Sequence, residues 1–395
     1  MTGQSKIEWT DQTWNPIVGC SIVSPGCTNC YAMRQAWRFK ASYLGRKVAG
    51  PVAENVVRKV NGNAVWTGQL AMAPDYAFFA PLHRKKPTKY FVNSMGDLFH
   101  EDCPDEWIDR VFAVIALAPQ HTFQVLTKRA KRMREYLCGD WAHRSYGIAK
   151  ALPGFALGKI NIVSGSLPNV WLGVSAERQP EADERIPELL ATPAMVRFVS
   201  IEPLLGPIRL DRVEEDVDAF ADCGGHPDPH WPLDTQDATW LNALRGVMEA
   251  EARSPAGEKL GDIDVGLKHE GGKLDWVIVG GESGREARPM HPDWARALRD
   301  QCAAAKVAFF FKQWGEWAPQ IGAVDGWTIA DNPEISRLDH REWEDGRWSD
   351  VFRPMWCDFQ DGNYDEAQTV SRIGKKGAGR KLDGVEHNEF PRVPA

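Results

Sequence analysis

"YFVNSMGDLFHEDCPDEWIDRVFAVIALAPQHTFQVLT", residues Tyr90 to Thr127, reads as strand, loop, helix and strand. Its two ends, "YFVNS" (Tyr90 to Ser94) and "FQVLT" (Phe123 to Thr127), are nearly continuous apolar runs, the pattern of strands covered on both faces. Between them Pro104 can occupy the first helical position, and Trp107, Ile108, Val111, Phe112 and Ile115 repeat on one face. The same unit recurs along the chain. Further candidate strands are "WNPIVG" (Trp14 to Gly19), "VWLGVS" (Val170 to Ser175), "RFVSIE" (Arg197 to Glu202), "WVIVGG" (Trp276 to Gly281) and "AFFFKQW" (Ala308 to Trp314). Seven strands in βα order predict an α/β protein built as a partial or near-complete parallel (β/α) barrel, with a doubly wound open sheet as the alternative. In either architecture chemistry belongs at the carboxyl ends of the strands.

The barrel is expected to span residues 1–318. An insertion at 211–273, rich in Asp, Gly and Pro with a helical piece near Trp240 to Ala252, separates the fifth and sixth strands. Residues 319–395 read as a small β-containing appendage with Trp327, Trp343, Trp348 and Trp356, followed by a tail. After the sixth strand, Trp294, Leu298 and Cys302 recur on one helical face, so Cys302 reads as a core thiol.

Hydrophobic content of 43% and 26% charged residues are ordinary for a globular protein. The longest apolar run, Val111 to Pro119, is about half of what a bilayer requires, and "MTGQSKIEWT" has no apolar signal region. A cytoplasmic, non-membrane protein is expected. Eight cysteines spread over 395 residues do not form a secreted disulfide framework, and in a reducing compartment they remain thiols. A formal charge of −7 argues against a general polyanion binder, but leaves room for local basic surfaces such as "HRKKPTK" (His83 to Lys89) and "KRAKRMR" (Lys128 to Arg134).

Three of the eight cysteines, Cys20, Cys27 and Cys30, fall within "NPIVGCSIVSPGCTNCYA" (Asn15 to Ala32), on the loop after the first predicted strand. Pro25 and Gly26 allow the loop to fold back. Structural zinc requires four ligands, and no histidine occurs in the first 82 residues. A zinc deaminase needs a histidine upstream of its cysteine pair, and there is none. A redox C-x-x-C pair would leave Cys20 unexplained. A four-iron cube held by three thiolates, with one iron open to a small molecule, accounts for all three. Zinc with a distant fourth ligand, or no metal at all, remain the alternatives.

A three-cysteine loop after the first strand of a βα barrel resembles the radical S-adenosylmethionine superfamily. More narrowly, "TWNPIVGC", "CTNCYA", "FVNSMGDLFHED", "GVSAE", "SIEPLLGPI", "VGGESG", "FFFKQWG" and "GRKLDG" together resemble a family of phage and bacterial three-cysteine proteins. The superfamily's usual spacing is C-x3-C-x2-C with an aromatic before the last cysteine, whereas here the first gap is six residues and Tyr31 follows Cys30. The resemblance implies a 4Fe-4S cluster on Cys20, Cys27 and Cys30, reduced by a donor such as a flavodoxin or ferredoxin. S-adenosylmethionine on the open iron would be cleaved to methionine and a 5′-deoxyadenosyl radical. It further implies that Ser94, Gly96 and Asp97, ending the second strand, and Ser175 and Glu177, ending the fourth, hold that cofactor. The plainer readings are an ordinary strand-to-loop turn and a helix-capping glutamate.

Glu202, Glu282 and Lys312 follow the fifth, sixth and seventh strands, where charged side chains face a cavity rather than a core, and they are candidate catalytic groups. Gly280 and Gly281 alone do not make a phosphate loop. His100 and Cys103 are candidate proton or hydrogen donors, and Cys223, His226 and His230 a candidate second metal site. A DNA or RNA substrate is the leading expectation, contacted through Lys128, Arg129 and Arg132. The competing reading is a zinc- or cluster-stabilised nucleic-acid-binding or interaction protein without turnover.

Overall fold

The computed structural model describes residues 3–5, 7–44, 55–152, 165–213, 239–253, 259–268, 272–319, 340–344, 346–351 and 368–392. Its centre is one sheet of seven parallel strands, numbered here β1 (Gln12–Trp14), β2 (Lys89–Val92), β3 (Thr122–Thr127), β4 (Val170–Ser175), β5 (Val196–Ile201), β6 (Trp276–Gly280) and β7 (Ala308–Gln313). Each pairs in parallel with the next in sequence, from β1 to β7. An unbroken sequential order has no switch point, which excludes the doubly wound alternative. The sheet curls into a half-barrel flanked by helices.

Ring contacts show how tight the curl is. Trp9 lies 4.8 Å from Phe91 of β2 and 6.2 Å from Trp276 of β6, ring centre to ring centre. Those strands are four positions apart, roughly 19 Å across a flat sheet at the usual strand spacing, so one indole reaches both only because the sheet bends around it. Trp9, Phe91, Trp171, Phe198, Trp276 and Phe310 form an aromatic layer on the concave face at the amino ends of the strands. Gly173 makes room for it: a Cβ there would stand 2.4 Å from the Phe198 ring. Further along the same strands the inward positions become polar, with Lys128, Ser175, Ser200, Glu202 and Lys312. The opposite face carries Val92, Val125, Leu172, Val199, Val277 and Phe311, which pack against helices including Asp105–Ala116 and Pro292–Ala305. Cys302 is fully buried there, as its spacing predicts.

Four expectations need correction. The first strand ends at Trp14, not Gly19. Beyond it Ile17–Val18 leave the sheet and pair antiparallel with Ala71–Met72, while the Asn15 side chain accepts hydrogen bonds from Met95 N and Ser94 Oγ. Pro104 is the N-cap, with the helix beginning at Asp105. The expected helix near Trp240 is a hairpin of Thr239–Asn242 and Val247–Arg253, joined antiparallel to Lys259–Lys268. Gly246 has φ +67°, so the chain turns there at a position that favours glycine. Finally, the tail returns to the barrel. Asn388 bridges Phe310 at the β7 edge, and Glu389 O accepts from the Trp276 indole.

The tryptophan-rich part is β-structured, as expected: Trp317–Pro319, His340–Glu344, Arg347–Val351 and Gln368–Arg372 form one antiparallel sheet. No helix among the described residues is long and apolar enough to cross a membrane. Trp327, Trp356 and the Cys223, His226 and His230 cluster lie outside the described residues.

Candidate active site at the carboxyl ends of the strands

The cysteine loop begins where two glycines let backbones touch. Gly19 has φ +105°, and Gly96 bridges it in parallel from the end of β2. A Cβ on Gly96 would sit 2.8 Å from Gly19 O, so Gly96 admits the loop itself. Cys20 follows. Ser24 is extended, Pro25–Cys27 make one 3-10 turn, and Cys30 N donates to Cys27 O at 3.3 Å before helix α1 (Tyr31–Leu44) starts.

From there the loop lies across the mouth of the half-barrel and is hydrogen-bonded to the ends of four strands. Tyr31 Oη donates to Ser94 O after β2 (3.0 Å), and Arg129 Nη1 after β3 approaches Cys20 Sγ at 3.4 Å. Gly26 N donates to Glu177 Oε1 after β4 at 2.8 Å. After β6, Glu282 accepts from Asn29 Nδ2 (3.1 Å) and from Arg288, whose Nη2 also reaches Pro25 O at 3.0 Å.

Two of the three thiols have a cation nearby. The charge of Arg129 bears on Cys20 and that of Lys128 on Cys30. Burial first, then the Asp97 carboxylate, push the Cys20 thiol up to about 12, with Arg129 opposing. Cys30 is also raised by burial, although the N–H groups of Ala32 and Met33 in the first turn of α1 donate to its sulfur. Cys27 is electrostatically coupled to both. Tyr31 keeps 51% of its surface accessible, yet its hydroxyl is pushed up by desolvation and by the charges of Cys30 and Glu202.

The carboxylates expected to hold a cofactor have protein partners. Asp97 is buried and accepts from Phe99 N, Thr127 Oγ1, Lys128 N and Arg129 Nη1 at 2.7 to 3.2 Å. Glu177 is fully buried and accepts from Gly26 N, Lys128 Nζ at 2.7 Å and Arg185 Nη1 at 3.4 Å. Burial alone would raise the Glu177 carboxyl. The Lys128 charge and hydrogen bond, with donors from Ser24 and Gly26, outweigh it and hold the group below its usual range. Ser175 is buried, and its carbonyl accepts from Arg185. Removing the Asp97 charge while keeping its shape (Asp97→Asn) is expected to cost about 2–3 kcal/mol, because hydrogen bonds to a charged group are lost beside a buried guanidinium. Denaturant unfolding of the metal-free protein measures this, and an unchanged midpoint would refute the anchoring role.

Glu202 and Lys312 meet on the concave face, Nζ lying 2.6 and 2.8 Å from the two carboxylate oxygens, with Gln313 and Ser283 next to them. Glu282 is separate from that pair and serves the loop through Arg288 and Asn29. His100 is buried. Its Nδ1 accepts from Asp102 N, which leaves Nε2–H to face Ser21 Oγ at 3.0 Å, so it orients the loop. Cys103 is buried away from the mouth. Most of the basic run after β3 is ion-paired, Arg129 with Asp97 and Glu101, Arg132 with Asp105 and Arg134 with Glu188, while Lys131 is exposed. Those side chains build the fold, and the expected phosphate contacts through Lys128, Arg129 and Arg132 find no free group there.

A family model described as "Protein of unknown function (DUF5131)" matches residues 4–391. The chain belongs to this family. No curated protein and no solved structure matches it. The DUF5131 match runs through the cysteine loop, all seven strands and the returning tail, so the mouth is built entirely within the family's span.

The donor set can be compared with the group that the sequence implies. Among the described residues, no three His, Cys, Asp or Glu side chains converge as ligands of a single ion. A zinc ion needs its ligands gathered about one point. A four-iron cube binds each cysteine at a different iron, so its thiolates stand apart around a larger body. Cys20, Cys27 and Cys30 share one loop without converging, Cys20 and Cys30 have a neighbouring cation, and Cys30 accepts from two N–H groups, a donor chemistry compatible with a negatively charged group of that kind.

Proposed function

We propose that this chain is an iron–sulfur enzyme of the radical S-adenosylmethionine type, acting on a substrate that enters the carboxyl mouth of the half-barrel. The observation that carries the reading is the placement of the cysteine loop, tied to the ends of β2, β3, β4 and β6. Cys20, Cys27 and Cys30 would hold a 4Fe-4S cluster. Once reduced by a flavodoxin- or ferredoxin-like donor, it would supply the electron that cleaves S-adenosylmethionine to methionine and a 5′-deoxyadenosyl radical.

The chain's own residues have distinct tasks. Arg129 and Lys128 place positive charge beside the thiols and favour their deprotonated, ligating form. Asp97 and Glu177 fix those two cations and, through Gly26, the loop. Ser94 and Gly96 set the loop's approach to β2. Glu282 holds Arg288 and Asn29 on the opposite rim. Glu202 and Lys312 face the chamber as a paired acceptor and donor, able to orient a polar group and pass a proton at the carboxylate oxygen or Nζ. The aromatic layer keeps water out from the amino side, as short-lived radical chemistry requires.

Anaerobic purification with iron and sulfide analysis, followed by reduction in the presence of S-adenosylmethionine, tests the proposal. The expected result is about four irons and four sulfides per chain, the content of one cube, and release of 5′-deoxyadenosine. A protein that keeps stoichiometric zinc and takes up no iron overturns it.

A further inference from the structure

Charge is distributed unevenly along this acidic chain. Between Gln12 and Pro74 there are seven Lys and Arg residues (Arg34, Arg38, Lys40, Arg46, Lys47, Arg58 and Lys59) and one acidic residue, Glu54, although the whole chain has a formal charge of −7. The described part of this segment comprises the cysteine loop, α1 and the hairpin Val57–Val60/Asn63–Trp66, which turns at Asn61–Gly62 with both φ values positive. Val56, Val57 and Trp66 bury against Ala32, Met33 and Ala36, so hairpin and helix form one wall. Gly68 N donates to Cys20 O at 3.2 Å, which places that wall directly beside the mouth.

On this wall two cations are engaged within the protein: Arg34 Nη2 donates to Ser283 O and Lys40 Nζ to Val57 O, both at 3.1 Å. Tyr31, Arg34 and Arg38 follow one side of α1 at the i, i+3, i+7 spacing. Arg38, Arg58 and Lys59 are exposed, and no ion pair among the described residues engages them. Trp37 gathers two ammonium groups, Lys40 at 5.6 Å and Lys59 at 5.2 Å from its ring. The basic run after β3 leaves one exposed cation outside its ion pairs, Lys131, against three here.

We propose that the wall formed by α1 and the Val57–Trp66 hairpin binds the phosphate backbone of a single-stranded nucleic acid and delivers one base past Tyr31 into the mouth; this rests on the reading of the mouth as the reaction site. The exposed cations Arg38, Arg58 and Lys59 match a run of phosphates. The accessible Tyr31 ring at its inner end offers a stacking surface, which an acidic peptide or a lipid headgroup cannot use but an unstacked base can. A base must leave its helix before chemistry inside a pocket can reach it, and a single strand is already open.

Anisotropy titration of the full-length protein with fluorescent single-stranded DNA and RNA, between about 50 and 200 mM salt, tests this. The triple variant Arg38→Glu, Arg58→Glu, Lys59→Glu is expected to bind at least about tenfold more weakly at the low-salt end, with a log–log salt slope flatter by about 2, the sum of about 0.7 per lost phosphate contact. The double variant Lys85→Glu, Lys86→Glu, at the amino end of β2, should match the wild type. The neutral triple Arg38→Gln, Arg58→Gln, Lys59→Gln should fall between, guarding against a folding defect in the reversed form. Equal affinity and slope in both triple variants, or tighter binding of phosphatidylserine vesicles or polyglutamate than of the strand, overturns the proposal. Binding is read without turnover. Strand binding without cleavage of S-adenosylmethionine would therefore defeat the catalytic reading alone, and cleavage without strand binding would defeat this one.

Discussion

Cys20→Ala, Cys27→Ala and Cys30→Ala should each yield a protein that folds but purifies without the brown colour or the iron of the wild type, whereas Cys302→Ala should retain both. Three thiolates are the minimum that holds a cube with one open iron, so the loss of any one leaves two irons without protein ligands. Cys302 is the control because it is equally a thiol but fully buried in the seam of Pro292–Ala305 against the sheet. Anaerobic reconstitution followed by iron analysis reads the outcome. Full iron content in any of the three loop variants would remove that cysteine from the ligand set and with it the three-thiolate site.

Glu177→Ala carries the second large effect. The carboxylate is fully buried and shared by Lys128, Arg185 and the Gly26 amide. Its removal leaves two cations in a poorly hydrated site, and breaking a buried pair from one side costs about 3–5 kcal/mol. The loop should loosen with it, so that iron is lost faster to a chelator than in the wild type. Acid adds an independent signature. The Glu177 carboxyl lies below its ordinary value in the folded protein, so its contribution is fully present above the unfolded value, about 4.3, and is lost as pH falls through the depressed folded value. Glu177→Gln, nearly the same shape without the charge, should show a smaller loss of stability on acidification than the wild type. Identical acid profiles for the two would refute the ion pair's role.

The seven strands are legible in the sequence because strands covered by helices outside and aromatics inside are apolar at nearly every position. Boundaries and register are less so. Trp14 ends β1 although "PIVG" continues the apolar run, because Pro16 has no amide to donate and Asn15 spends its side chain on Ser94 and Met95. The segment near Trp240 carries no alternation that marks a strand, and its hairpin depends on the turn at Gly246, with φ +67°. In the site, the three cysteines, Glu202 and Lys312 stand out by type and position. The partners do not. Arg129 near Cys20, Lys128 on Glu177 and Arg288 on Pro25 O join residues 109, 49 and 263 positions apart, and no local pattern encodes such pairings. "GGESGREARPM", with an arginine six residues after Glu282, is the one local pattern that points to a partner, Arg288.

The indole of Trp9, in contact with Phe91 of β2 and Trp276 of β6, fills the concave face at the amino ends of the strands. If the mouth works as proposed, a polymer would approach from the carboxyl side and offer one protruding group over it. A small cosubstrate would then bind first and its fragments would leave last, an order that isotope trapping of prebound S-adenosylmethionine would test.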